Sequence, residues 1–111
     1  MSKHEFGIMQ KSPSAYERFD RYEPEKYNCI TVDDDLIEPI LSSLDNVGCY
    51  WHTIQKPGKG LAYCGITLIP PKSAGVLINI LRAQSRKEYD PLIALVGQAH
   101  NGNHYIIHFG V

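Results

Sequence analysis

Apolar and polar positions alternate most clearly between Gly48 and Pro70. The runs Gly48 to Gln55 and Leu61 to Pro70 are rich in aromatic and β-branched residues, and they flank a Lys56 to Gly60 segment that carries a Pro-Gly pair. This is the pattern of an antiparallel hairpin. With Lys56 to Gly60 as the loop, Ile54 faces Ala62, His52 faces Cys64 and Tyr50 faces Ile66. Side chains alternate faces along a strand. Tyr50, His52, Ile54, Ala62, Cys64, Ile66 and Leu68 therefore share the face expected to meet the core. Cys49, Trp51, Thr53, Leu61, Tyr63, Gly65 and Thr67 share the other, with Trp51 across from Gly65, where room is left for the indole.

The flanking segments follow their own periods. His4 to Gln10 reads as a short edge strand. Lys11 to Asn28 mixes charges with Pro13, Pro24, Tyr16, Phe19, Tyr22 and Tyr27 and shows neither helical nor strand spacing. Residues 1–28 are thus assigned to an irregular N-terminal arm, its aromatics packing on the second sheet face around Trp51 and Tyr63. Cys29 to Val32 is a short strand. Asp35 with Glu38 three residues on fits a capping box, and Leu36, Ile37, Ile40, Leu41 and Leu44 fall on one helical face. Pro39 is tolerated in the first turn of such a helix. A second helix is predicted over Lys72 to Gln84, burying Ala74, Leu77, Ile78 and Leu81. A third opens at Asp90-Pro91, runs through Leu92, Ile93, Leu95, Val96 and Ala99, and stops at Asn101-Gly102. His104 to Phe109 is a closing strand. The expected architecture is a single α+β domain with its core in residues 29–111. It has a four-stranded antiparallel sheet with helices on one face, a ferredoxin-like split β-α-β arrangement with one extra helix.

Composition narrows the setting. A chain of 111 residues is long enough for one core without staples. Its net charge of −1 argues against a polyanion as main partner. Three cysteines among strand-like neighbours read as reduced thiols in a cytoplasmic protein. No apolar run suits a membrane span, and the first residues lack a signal pattern.

Candidate chemistry is thin. His52 and Cys64 have the residue types of a thiol–imidazole pair, and Cys49 is a second thiol near His52, but mid-strand positions on the core side read first as packing. His104 and His108 share a strand face about 13 Å apart, too far for one metal ion. The aspartates at 33–35 lack the glycine and distal glutamate of a calcium loop, and Lys56 to Gly60 is not followed by the helix of a phosphate-binding loop. No metal or cofactor is expected. The octamer Lys59 to Ile66 resembles the first signature of the RNA-recognition motif, with Leu61 and Ile66 where that signature has aromatics. The resemblance implies base stacking on Tyr63 beside Trp51. Tyr22 to Tyr27 and Gly58 to Pro71 resemble segments of small bacterial proteins without an assigned activity. The leading expectation is a non-enzymatic binding or protein-interaction module. Its contact face holds Trp51, Thr53, Tyr63 and Lys59, and its partner is a second copy (a homodimer) or another protein. The alternatives are single-stranded RNA binding through the same face and a small hydrolase or transferase using Cys64 or Cys49 with His52.

Overall fold

The alternation from Lys3 to Met9 folds as strand β1, and β1 lies inside the sheet rather than at its edge. The computed structural model describes residues 2–111; Met1, the first residue assigned to the arm, lies outside the described residues. The other strands are β2 (Ile30–Asp33), β3 (Gly48–Trp51), β4 (Pro57–Lys59), β5 (Ile66–Ile69) and β6 (Tyr105–Phe109). They form one antiparallel sheet of six strands in the order β2-β1-β6-β5-β3-β4. This overturns the expected four-stranded, ferredoxin-like sheet. The fold is α+β, but with two strands more.

The first extra strand is β1. It pairs with β2 from Lys3↔Asp33 to Phe6↔Ile30, and with β6 from Glu5↔Phe109 to Met9↔Tyr105. Its buried side chains, His4, Phe6 and Met9, point to both faces, as a strand interior to a two-layered core requires.

The second is β4, made from the segment expected to be the loop. The chain turns earlier, at His52 to Gln55, where His52 has φ +65° and the Lys56 N–H donates to the Thr53 carbonyl at 3.0 Å. Pro57 is tolerated because its nitrogen faces the open edge. Pro57 stands opposite Tyr50, but the positions whose backbone bonds to β3 are the alternate ones, as the Trp51 N–H to Lys56 O and Gly60 N–H to Val47 O bonds show. Gly58 is needed for a different reason: a Cβ there would stand 2.5 Å from Cε2 of Trp51. The indole lies across the β4 backbone and donates to the Gly60 carbonyl at 3.0 Å. On its other side β3 pairs with β5 as Tyr50↔Leu68 and Trp51↔Thr67, two residues from the expected register. A two-residue slip keeps each side chain on its face, but the His52–Cys64 and Trp51–Gly65 pairs vanish.

Helices cover one face. Asp34–Ile37 (α1) and Leu41–Leu44 (α2) are joined by a 3-10 turn at Glu38–Ile40 into one interrupted helix. Pro39, lacking an N–H, breaks the α ladder there. The helix starts at Asp34 with no side-chain cap, so the capping box at Asp35 does not form. Ala74–Ala83 (α3) and Asp90–Gly102 (α4) follow, and Asn103, at φ 57°, takes the left-handed terminal position expected of Gly102. Phe6, Val32, Cys49, Ile69 and Ile106 meet these helices in the main core. Met9, Ile66, Leu68, Ile107 and Phe109 form a second core under Phe19 and Tyr27 of the arm and the adjoining Cys29. The faces are thus exchanged relative to expectation. The Tyr50–Ile66–Leu68 face carries the arm, and the Cys49–Thr67 face carries the helices. All of β5 is buried, so its alternation had no polar side to mark the exterior. Among the described residues no helix is long and apolar enough to cross a membrane.

Candidate functional site

Three polar side chains lie fully enclosed between the sheet and its helical layer: His4 on β1, Thr67 on β5 and His108 on β6. Pairing sets them side by side, since Phe6 and Thr67 both stand opposite His108 and His4 lies two residues from Phe6 on the same face. His4 Nε2 is 2.8 Å from Asp34 Oδ1, His4 Nδ1 is 2.9 Å from His108 Nε2, and His108 Nδ1 is 3.1 Å from Thr67 Oγ1. Thr67 Oγ1 in turn accepts the Ala62 N–H at 2.9 Å. Asp34 ends the chain as an acceptor. Hydrogen bonds from Tyr63 and His4 hold its carboxyl below the usual carboxylate range, so it only accepts. His4 donates to it through Nε2. His108, as a neutral ring, donates through one nitrogen and accepts through the other, toward His4 and Thr67. Burial, and the neighbouring His4, push the His108 imidazole down to about 3, which suits this neutral arrangement. Every member is satisfied, and no buried side-chain nitrogen or oxygen among the described residues lacks a partner.

This chain ties α1, β1, β6, β5 and the Ala62–Tyr63 loop together. Both imidazoles are sealed from solvent, so no substrate reaches them. Its outer end is Asp34, where the hydrogen bond from the Tyr63 hydroxyl pushes that phenol up to about 12.

The residues singled out in the sequence are not gathered on one face. Trp51 is committed to Gly58 and Gly60. Thr53 is buried in the β3–β4 turn, its Oγ1 accepting the Gln55 N–H at 3.3 Å. The Tyr63 ring stands edge-on to His4 at 5.2 Å, and Lys59 is exposed on the outer strand β4. His52 turns to the arm, with Nδ1 at 3.0 Å from the Phe19 carbonyl and 3.1 Å from Asp20 Oδ1. Cys64 sits exposed in the turn before β5, while burial pushes the Cys49 thiol up to about 12 and the Cys29 thiol up to about 11. Such thiols stay protonated at neutral pH and are poor nucleophiles.

The concave site lies elsewhere, beside the end of β1. Strand β2 begins only at Ile30, because Asn28 is left-handed (φ 48°) and leads back into a 3-10 turn at Pro24–Tyr27. Strand β1 runs on to Met9 with β6 on one side and, on the other, Cys29 and Asn28 opposite Gly7 and Ile8 as the register continues. Which residues face that side follows from parity. The Asp34 N–H donates to Ser2 O, which makes the even residues of β1 the ones bonded toward β2. The Gly110 N–H to Gly65 O bond makes the odd residues of β1 face β6, in agreement. Ile8 therefore directs its N–H and C=O toward Asn28.

Hollows flank this end of β1 on both sheet faces. On the helix side a groove of about 530 Å³ is lined by Ile8, Ile30, Leu95 and Tyr27 with Gln10, Lys26, Asn28, Gln98 and His104. On the arm side a hollow of about 220 Å³ is lined by Met9, Phe19 and Tyr27 with Lys11, Glu17 and Lys26. Reading the sequence missed this site. Its signal, strand spacing at His4 to Gln10, was visible, but the groove exists only because the partner strand stops short. A wider depression of about 830 Å³ around Glu5, Glu23, Glu25 and Cys29 is acidic, and its thiol is the protonated Cys29. Among the described residues no cluster of three His, Cys, Asp or Glu has the spacing to hold a metal ion. No protein-family model matches the chain, and no curated protein or solved structure is detectably similar to it.

Proposed function

We propose that this chain is a non-enzymatic protein-interaction domain whose binding site is the groove between the end of β1, the Pro24–Tyr27 turn and α4. The observation that carries this reading is the contrast between two places. Most groups with catalytic potential are engaged or protonated: both enclosed imidazoles are fully bonded, Cys29 and Cys49 are held as thiols, and His52 Nδ1 is turned to the Phe19 carbonyl and Asp20 while Cys64 stands exposed. The groove instead offers amides, a lysine and an apolar floor, which is the composition of a recognition site with a few orienting polar groups. The ties of Trp51 to Gly58 and Gly60 and of Tyr63 to His4 count against base stacking, since each ring is already engaged by its own chain. Unpaired thiols fit a reducing, cytoplasmic setting.

The test is a selection of phage-displayed random peptides on the immobilised full chain, followed by mapping of a selected peptide on the isotope-labelled protein. Amide and side-chain shifts are expected at Lys26, Asn28, Gln98 and His104. Shifts centred on Trp51 and Lys59, or an empty selection, would remove the groove as the site.

A further inference from the structure

We infer that the groove takes a short extended segment of a partner protein, which sets an apolar side chain on the groove floor and a neighbouring carboxylate on Lys26. This deepens the groove reading above and rests on it.

Shape comes first. The main chain of Ile8 already faces Asn28, so the segment lies on side chains and joins no strand. Ile8, Ile30 and Leu95 make the floor, and the first two are only half-buried, which leaves apolar surface open beneath the groove. Along one wall α4 presents Pro91, Ala94, Gln98 and Gly102, spaced by the turn of the helix. From Pro91 to Gly102 is a rise of about 16 Å, which an extended chain covers in about five residues. A helix about 10 Å across and of that length takes up roughly 1,300 Å³, against about 530 Å³ in the groove.

The polar groups are ones that a peptide can use. Gln10, Asn28 and Gln98 bring side-chain amides, each able to donate to a peptide carbonyl and accept from a peptide N–H. Among the described residues none of these three amides bonds within the chain. Gln55 and Gln84, away from the groove, both donate to backbone carbonyls, of Ala15 and Ile80. Three free amides along one groove suit a run of peptide groups better than a lone headgroup.

Charge chooses the partner. The chain carries 12 Asp and Glu residues, yet none lines the groove, where Lys26 and His104 are the groups able to carry positive charge. The Lys26 ammonium is uncommitted. It lies over the Tyr27 ring, 5.6 Å from the centroid, and among the described residues it forms no ion pair. On its far side the surface turns acidic, with Glu5, Glu23 and Glu25 around the neighbouring depression. A carboxylate is therefore drawn to Lys26 from the groove side and repelled from the other. That places the acidic residue of the partner beside its apolar anchor.

The experiment uses the full chain and the peptides selected on it by phage display. Their shared feature is expected to be an apolar residue with Asp or Glu within two positions. In solution, a Glu-to-Gln peptide is expected to bind the parent chain about tenfold more weakly, from loss of a charge-assisted bond. On Lys26→Ala the same change is expected to make no difference, since the lysine it answers is gone. Lys26 is exposed, so its replacement removes no core packing. Affinity for the acidic peptide is expected to fall as salt is raised. Peptides that map to the groove without an acidic residue, or a Glu-to-Gln loss that is the same on the parent and on Lys26→Ala, sink the carboxylate partner and leave the groove reading standing. Peptides that bind without shifting any groove signal, or an empty selection, sink both. A concentration-dependent dimer that shifts the groove signals hands the groove to a second copy and overturns the separate partner.

Discussion

At the residue scale the buried hydrogen-bond chain makes its own prediction about pH. The folded protein holds His108 well below the ordinary imidazole value, to about 3, while in the unfolded chain it titrates near 6.5. Between those values the unfolded state binds the extra proton, so stability rises with pH through this window and levels off above it. Urea midpoints are expected to fall from pH 7 toward pH 4, with a slope from this group of at most about 1.4 kcal/mol per pH unit. Asp34, depressed by Tyr63 and His4, adds a further loss only as pH drops below its unfolded value near 3.9. In His108→Gln the slope between pH 4 and 6.5 is expected to flatten, and stability at pH 7 to fall by about 1–3 kcal/mol as His4 and Thr67 lose a partner. An unchanged slope would mean that His108 is not the group titrating. The cysteines give a second prediction. With Ellman's reagent on the native protein at neutral pH, Cys64 should react within the mixing phase, whereas Cys49, buried and pushed up to about 12, should react only after unfolding. Fast reaction of Cys49 would contradict its burial.

At the element scale the arm is a structural layer. Phe19 is nearly buried on the second core, its N–H donates to the His52 carbonyl at 2.7 Å, and its own carbonyl faces His52 Nδ1. Phe19→Ala is expected to cost about 3–5 kcal/mol, a large-to-small loss in a packed site, read as a drop in melting temperature. A cost below about 1 kcal/mol would show that the arm only rests on the sheet. The elements differ in how far the sequence revealed them. The helical faces at Ile37, Ile40 and Leu44, at Leu77 and Leu81, and at Leu92, Val96 and Ala99 were legible because spacing alone marks a helix. β4 was not, because Lys56-Pro-Gly-Lys-Gly carries turn residues. Their strand role comes from Trp51 lying over Gly58 and from Pro57 facing the outer edge.

At the scale of the whole molecule the N-terminal residues bind the sheet together. β1 bridges β2 and β6, and its His4 anchors the hydrogen-bond chain. Deleting residues 2–27 removes an interior strand and the His4 that joins Asp34 to His108, so the remainder should lose its cooperative thermal transition and its dispersed amide spectrum. A truncated chain that still melts cooperatively would show that β2 and β6 pair directly without β1. The binding groove shares this dependence. Its rim comes from the end of β1, the turn before β2, and α4, segments brought together only when the sheet closes.

What the sequence by itself determined was local: where apolar spacing runs at the helical period and where strands alternate. Such features depend on neighbours within a turn or two of the chain. Tertiary structure alone decided the strand order, the face each strand shows to the helices, the partnership of His4 with His108 across most of the chain, and the groove beside Ile8. The reason is physical. A strand buried on both faces carries no polar side to orient it, and a groove is defined by where another segment stops, which no spacing within its own segment records.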